Sequence, residues 1–106
     1  MGKKILQVNF KMKYSGKEYH DTYEPAAEAL AAVPGLLWKV WIFNDQEHEG
    51  GGIYFFDSDE SMQAFMNGEI VASVMANPDL SDFNVKSFDI IPDLSAVTRG
   101  PIAMEA

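Results

Sequence analysis

After Ile5, apolar and polar residues alternate without a break to Met12. Leu6, Val8, Phe10 and Met12 fall on one side, and Gln7, Asn9 and Lys11 on the other. A period of two over seven residues predicts a half-buried strand. Tyr14-Ser15-Gly16 breaks the pattern, and from Lys17 to Val33 the spacing becomes that of a helix. Tyr19, Tyr23, Ala27, Leu30 and Ala31 share one side, with Glu18, Asp21 and Glu28 largely opposite. Pro25 lies inside this window, so the regular helix is expected to begin near Tyr23 with Pro25 in its first turn. It stops at Pro34-Gly35.

Two apolar, aromatic-rich runs follow, Leu36 to Phe43 and Ile53 to Phe56, joined by a polar segment that ends in Gly50-Gly51-Gly52. Runs of this kind with a short connection predict an antiparallel hairpin, with the glycines at a turn or bulge entering its second strand. Asp57-Ser58-Asp59-Glu60 is a helix start: Asp57 or Ser58 can cap, and the acids favour the positive end of the helix dipole. Met62, Phe65, Met66, Ile70 and Val74 supply the apolar stripe. Asn67-Gly68 interrupts it, predicting two short helices or a kinked one that ends at Asn77-Pro78. Val85 to Ile91 reads as the last strand, closed by Pro92.

The order is β-α-β-β-α-β, an α+β, ferredoxin-like four-stranded antiparallel sheet with its helices on one face. The domain is expected to occupy residues 1–92. Residues 93–106 show no strong period and are expected to form a tail or a dimer arm.

Composition narrows the function. The chain has 106 residues, 47% hydrophobic and 23% charged, enough for one domain with a core of its own. Without cysteine there is no disulfide, thiol catalysis or cysteine-based metal site, in keeping with a reducing cytoplasm. Sixteen acids against eight bases give a net charge of −8, which repels nucleic acid and anionic membranes. No apolar run approaches a membrane span. A cytoplasmic protein with no nucleic-acid or membrane partner is the expectation.

Two helices cover one face of such a sheet, and the other face is too aromatic to be left to water. Leu37, Lys39, Trp41 and Phe43 share one side of their strand, and Trp38, Val40 and Ile42 the other. A lysine is costly under helices unless paired. Lys39 and Trp41 are therefore expected on the uncovered face, beside Gln7, Asn9 and Lys11, with Val40 and Ile42 beneath the helices. A homodimer whose sheets face each other would then enclose a cavity in each half. The facing of Tyr54 and Phe56 depends on a hairpin register that alternation alone leaves open.

The hairpin also carries a resemblance. Gly35-Leu36-Leu37-Trp38-Lys39-Val40-Trp41, followed by His48-Glu49-x-Gly51-Gly52-Ile53-Tyr54-x-Phe56, resembles the YdhR-type mono-oxygenase family of the dimeric α/β-barrel superfamily. Phe88-Asp89-Ile90 and then Leu94-Ser95 resemble that family's end of the last strand. The resemblance covers about residues 5 to 95. It implies a homodimer of ferredoxin-like subunits with facing sheets, and cofactor-independent oxidation of an aromatic, quinol-like small molecule. Superfamily members that degrade haem use an asparagine on the first strand, plus a tryptophan and an axial histidine from the second-helix region. Asn9 matches the first, but residues 58–77 hold neither tryptophan nor histidine, which speaks against haem ligation of that kind.

Cofactor-free oxygenation needs an electron-rich substrate that can lose a proton, a dry cavity, and groups that stabilise the resulting anion. The candidate catalytic residues are Lys39, to hold or promote a phenolate, Asn9, to hydrogen-bond a carbonyl oxygen, and Tyr54. The candidate substrate-binding residues are Trp38, Trp41, Phe43 and His48. A plainer reading makes Lys39 an interface ion-pair lysine, to Glu49 for instance, and the aromatics interface core. His20 and His48 have no companions at ligand spacing, so neither a metal nor another cofactor is expected. The alternative function is a non-catalytic dimeric module that binds or senses a small ligand in the same cavity.

Overall fold

The computed structural model describes residues 2–103. Four strands form one antiparallel sheet in the order β2-β3-β1-β4. The strands are β1 (Lys4–Met12), β2 (Leu36–Asn44), β3 (Glu49–Phe56) and β4 (Leu80–Asp89). Helices α1 (Gly16–Tyr23) and α2 (Ala26–Ala31) connect β1 to β2, and α3 (Asp59–Met66) and α4 (Glu69–Met75) connect β3 to β4. A last short helix, α5 (Pro92–Val97), follows β4. The fold is ferredoxin-like, as the order of elements predicts.

The first helix starts earlier than its apolar spacing indicates. The Ser15 side chain accepts from the Glu18 amide, while the Glu18 carboxylate accepts from the Ser15 amide. This capping box lets α1 begin at Gly16. Pro25 then serves as the N-cap of α2 and itself has helical backbone angles, so it turns the chain without ending it. Ser58 caps α3 through the Ser61 amide, and Gly68 separates α3 from α4 where Asn67-Gly68 predicts an interruption.

β4 likewise begins at Leu80, five residues before the expected start, and ends at Asp89 rather than Ile91. A register shift against β1 between Asn9 and Lys11 accompanies Asp82, whose φ is 55°. The extra residue puts Leu80, Phe83 and Val85 out of simple alternation, which hides the first half of the strand from a period-two reading.

One sheet face is covered by all four connecting helices. Leu6, Tyr54 and Phe56 pack there against Leu30 of α2 and Met62 and Phe65 of α3. Phe10 and Met12 pack with Tyr19 of α1 and Leu80. The opposite face carries Gln7, Asn9, Trp38, Val40, Ile42, Ile53, Phe55 and Phe88, away from the four connecting helices. Trp38 stacks on Phe55 with ring centroids 5.1 Å apart. Beyond α5 the chain returns to this open face, where the Trp38 indole donates to the Pro101 carbonyl at 3.0 Å.

Candidate functional site

The pairing of β2 with β3 decides where the lysine goes. Lys39 lies opposite Tyr54, and Trp41 opposite Gly52. Tyr54 in turn pairs with Leu6, and Gly52 with Val8, both on the helix-covered face. Lys39 and Trp41 therefore sit on the covered face, and Val40 and Ile42 on the open one, the reverse of the expectation from lysine's burial cost. Two features resolve the apparent penalty. A register shift between Leu36 and Trp38 gives β2 an extra residue, so Leu36 reaches the core while Lys39 still points under the helices. The helices also do not close on the sheet there. They leave an apolar cavity of about 500 Å³, lined by Leu6, Val8 and Phe10 of β1, Tyr19 and Tyr23 of α1, Phe65 of α3, several α4 residues and the Lys39–Trp41–Tyr54 wall.

The Lys39 ammonium stands 3.3 Å from the centroid of the Trp41 ring system and 4.6 Å from that of Tyr54. Among the described residues it has no carboxylate partner and no hydrogen-bond acceptor, and no ion pair joins it to Glu49. Burial pushes its amine from the ordinary 10.5 down to about 7, although the aromatic faces attract the charged form and work against this shift. Room for the lysine stem comes from Gly52. A Cβ there would meet Lys39 Cε at 2.5 Å and Nζ at 3.3 Å. The neighbouring Gly51 is required for another reason, since its Cβ would fall 2.0 Å from the Val8 carbonyl oxygen. The three glycines lie within a regular strand, contrary to the expected turn or bulge.

Tyr19 is buried, and its hydroxyl donates to the Gly51 carbonyl at 3.1 Å. Its ring contacts Phe10, Tyr23 and Trp41. Burial raises its pKa to about 12 and also raises that of Tyr54. Asn77 donates to the hydroxyls of both Tyr23 and Tyr14, tying the end of α4 to α1 and the β1–α1 loop beside the cavity.

Of the seven candidate residues, Lys39, Trp41 and Tyr54 come together at this cavity. Asn9 does not: it lies on the open face, where its Oδ1 accepts from Gln7 Nε2 at 3.0 Å. Trp38 is on that face too, against Phe55 and Pro101. Phe43 shares the side of Lys39 but sits further along β2, exposed and close to Gly16. His48 is exposed in the hairpin loop with φ 52°. Tyr19 and Tyr23 complete the wall. Their spacing of four on one helix face was the available signal, but it pointed equally to plain core.

Haem iron is held by histidine, thiolate, tyrosinate or a methionine–histidine pair. Neither histidine nor cysteine lines this cavity, and burial, which raises the pKa values of Tyr19, Tyr23 and Tyr54, opposes tyrosinate. Met66 and Met75 lie there without a histidine to complete a pair. The wall residues do not fit an axially ligated haem.

A family model described as "Putative mono-oxygenase ydhR" matches residues 5–101. No curated protein matches the chain. Among solved structures, a protein of unknown function from Nitrosomonas europaea is 25% identical, with a TM-score of 0.69 over 86% of this chain and 91% of that one. The haem degrader MhuD from Mycobacterium tuberculosis, solved with two haems in its active site, is 22% identical, with a TM-score of 0.64 over 82% of this chain and 95% of its own. SnoaB, a cofactor-independent oxygenase from Streptomyces nogalater, is 13% identical, with a TM-score of 0.65 over 85% and 94%. At these identities the last two likenesses speak for the shared fold.

Proposed function

Because the chain belongs to the putative mono-oxygenase ydhR family, we propose that it oxygenates an aromatic, quinol-like small molecule, without metal, flavin or haem, in the cavity beneath α1–α4. The observation that carries this reading is the Lys39 amine, held over two ring faces in an apolar cavity with no carboxylate paired to it among the described residues. As free base it removes a proton from the substrate's phenolic hydroxyl or acidic ring C–H. The ammonium so formed stays beside the new anion in surroundings where water screens it little.

The electron-rich anion then reduces dioxygen. One oxygen atom enters the ring as a carbonyl, and the other leaves as water with two substrate hydrogens, so that a phenol and dioxygen become a quinone and water. Trp41 and Tyr54 supply aromatic surface for the ring. A base with a pKa near the working pH is suited to this task.

Hydroquinones and anthrone-type compounds offered under oxygen, with a chelator present, test the proposal. Lys39→Ala is expected to lower kcat/KM by about 100-fold. For the intact protein, kcat/KM should rise through a pH of about 7 as the amine loses its proton. Equal rates for the two proteins across the panel would overturn the reading. Saturable binding without oxygen uptake would make the cavity a ligand-binding or sensing site instead. In the same proposal a second copy of the chain covers the open face, sheet against sheet, because Trp38, Val40, Ile42, Ile53 and Phe88 form an apolar surface there.

A further inference from the structure

We propose that Lys39 is also a carbonyl-capturing amine, which takes an apolar aldehyde or ketone from the cavity between the sheet and α1–α4 and holds it as a reversible imine. Capture of this kind requires an amine whose lone pair is not engaged, room for the carbonyl's substituent, and surroundings that favour loss of water. The first condition sets Lys39 apart from most lysines in the chain. Lys4 is paired with Asp89, Lys11 with Glu47 and Lys17 with Asp21. The Lys3 amine donates to the Ile102 carbonyl. Lys39 meets only the two ring faces. The second condition is the cavity of about 500 Å³, whose walls of Leu6, Val8, Phe10 and Phe65 accept an aryl or alkyl group but offer it no hydrogen bond.

The step needs no oxidant or reductant. The amine nitrogen attacks the carbonyl carbon, and the carbonyl π pair moves to oxygen, which takes up the proton the nitrogen loses. The carbinolamine then expels water as the C=N bond forms. An aldehyde and an amine become an imine and one water, and an apolar cavity favours that water's departure. On taking up a proton from solvent, the imine nitrogen carries a positive charge over the same Trp41 face. Gly52 sets the geometry, since only the absence of a Cβ lets the lysine stem lie across β3. The titratable groups lining the cavity with Lys39 are Tyr19 and Tyr23 of α1, Tyr54 of β3 and Glu69 of α4.

The test incubates the full chain anaerobically at neutral pH with 2-naphthaldehyde, traps imines with borohydride and maps them by peptide mass. The trapped adduct adds the mass of the aldehyde less one oxygen atom. Labelling at Lys39 is expected to exceed that at the exposed Lys13 by more than about tenfold, and to lose this preference in urea. Gly52→Ala, which keeps the lysine but displaces its stem, should reduce labelling at Lys39 alone. So should an excess of 2-naphthol, which fills the cavity without offering a carbonyl. Labelling at Lys39 no faster than at Lys13, or equal labelling by polar glyceraldehyde, would overturn the proposal. Without oxygen in the mixture, the result is independent of whether the protein oxygenates anything.

Discussion

A lysine whose ammonium meets two aromatic faces and no carboxylate weakens the folded chain whenever it is protonated. In the unfolded chain the Lys39 amine titrates near 10.5, and in the fold near 7. Between those values the unfolded chain binds the additional proton, so stability rises with pH across that window. Below about pH 7 both states are charged and the penalty is fully present. Lys39→Met is therefore expected to stabilise the protein at pH 6 by about 1 kcal/mol or more, with an advantage that shrinks toward pH 10. Urea midpoints at the two pH values check this, and an advantage that grows with pH would contradict it. Gly52→Ala separates site from fold in a different way. Its new Cβ collides mainly with the flexible end of Lys39 and only crowds the Tyr54 ring at 3.2 Å, so the proposed oxygenation should fall further than the urea midpoint.

At the scale of elements, much of what a pattern reading misses lies at ends and irregularities. The aromatic hairpin, the broken second helical segment and the alternation of β1 are visible because apolar periodicity runs through them. The start of α1 is not, because it depends on Ser15 and Glu18 exchanging hydrogen bonds with backbone groups. Ser15→Ala is expected to cost about 1 kcal/mol, measured by urea denaturation. Gly51→Ala is a stricter case. Its Cβ would collide with backbone, the Val8 carbonyl, rather than with a side chain that can swing away. A loss of about 2–3 kcal/mol is expected, with the pairing of β1 and β3 disturbed, and hydrogen exchange at Val8 and Gly51 would report it. The triple glycine resembles a turn signal in the sequence because a need for space leaves the same mark as a need for unusual backbone angles.

Among the described residues, two apolar surfaces stand largely exposed. Val40 and Phe88 on the open sheet face are 50% and 46% exposed, and Leu94 and Val97 of α5 are 61% and 76% exposed. If a second copy covers the open face, the protein should sediment as a dimer at micromolar concentration. Val40→Asp, which places a carboxylate in the middle of that face, should then shift it to monomer while leaving helix content unchanged; a monomeric parent chain would end the idea. The sequence by itself determined the order of elements, the hairpin, and the grouping of Lys39 with Trp41 on one side of β2, because each follows from local periodicity. It also marked that pair as the unusual chemistry of the chain. It could not say which sheet face the pair occupies, because period two sorts residues into sides without naming the side the helices cover. Tertiary structure decided this through the register that sets Lys39 opposite Tyr54 and the register shift between Leu36 and Trp38. The same register left Asn9 on the far side of the sheet. Lysine's burial cost argued for the open face. It was outweighed because the helices stop short of the sheet, leaving an apolar cavity in which the ammonium rests on Trp41 and gives up its proton more readily than in water.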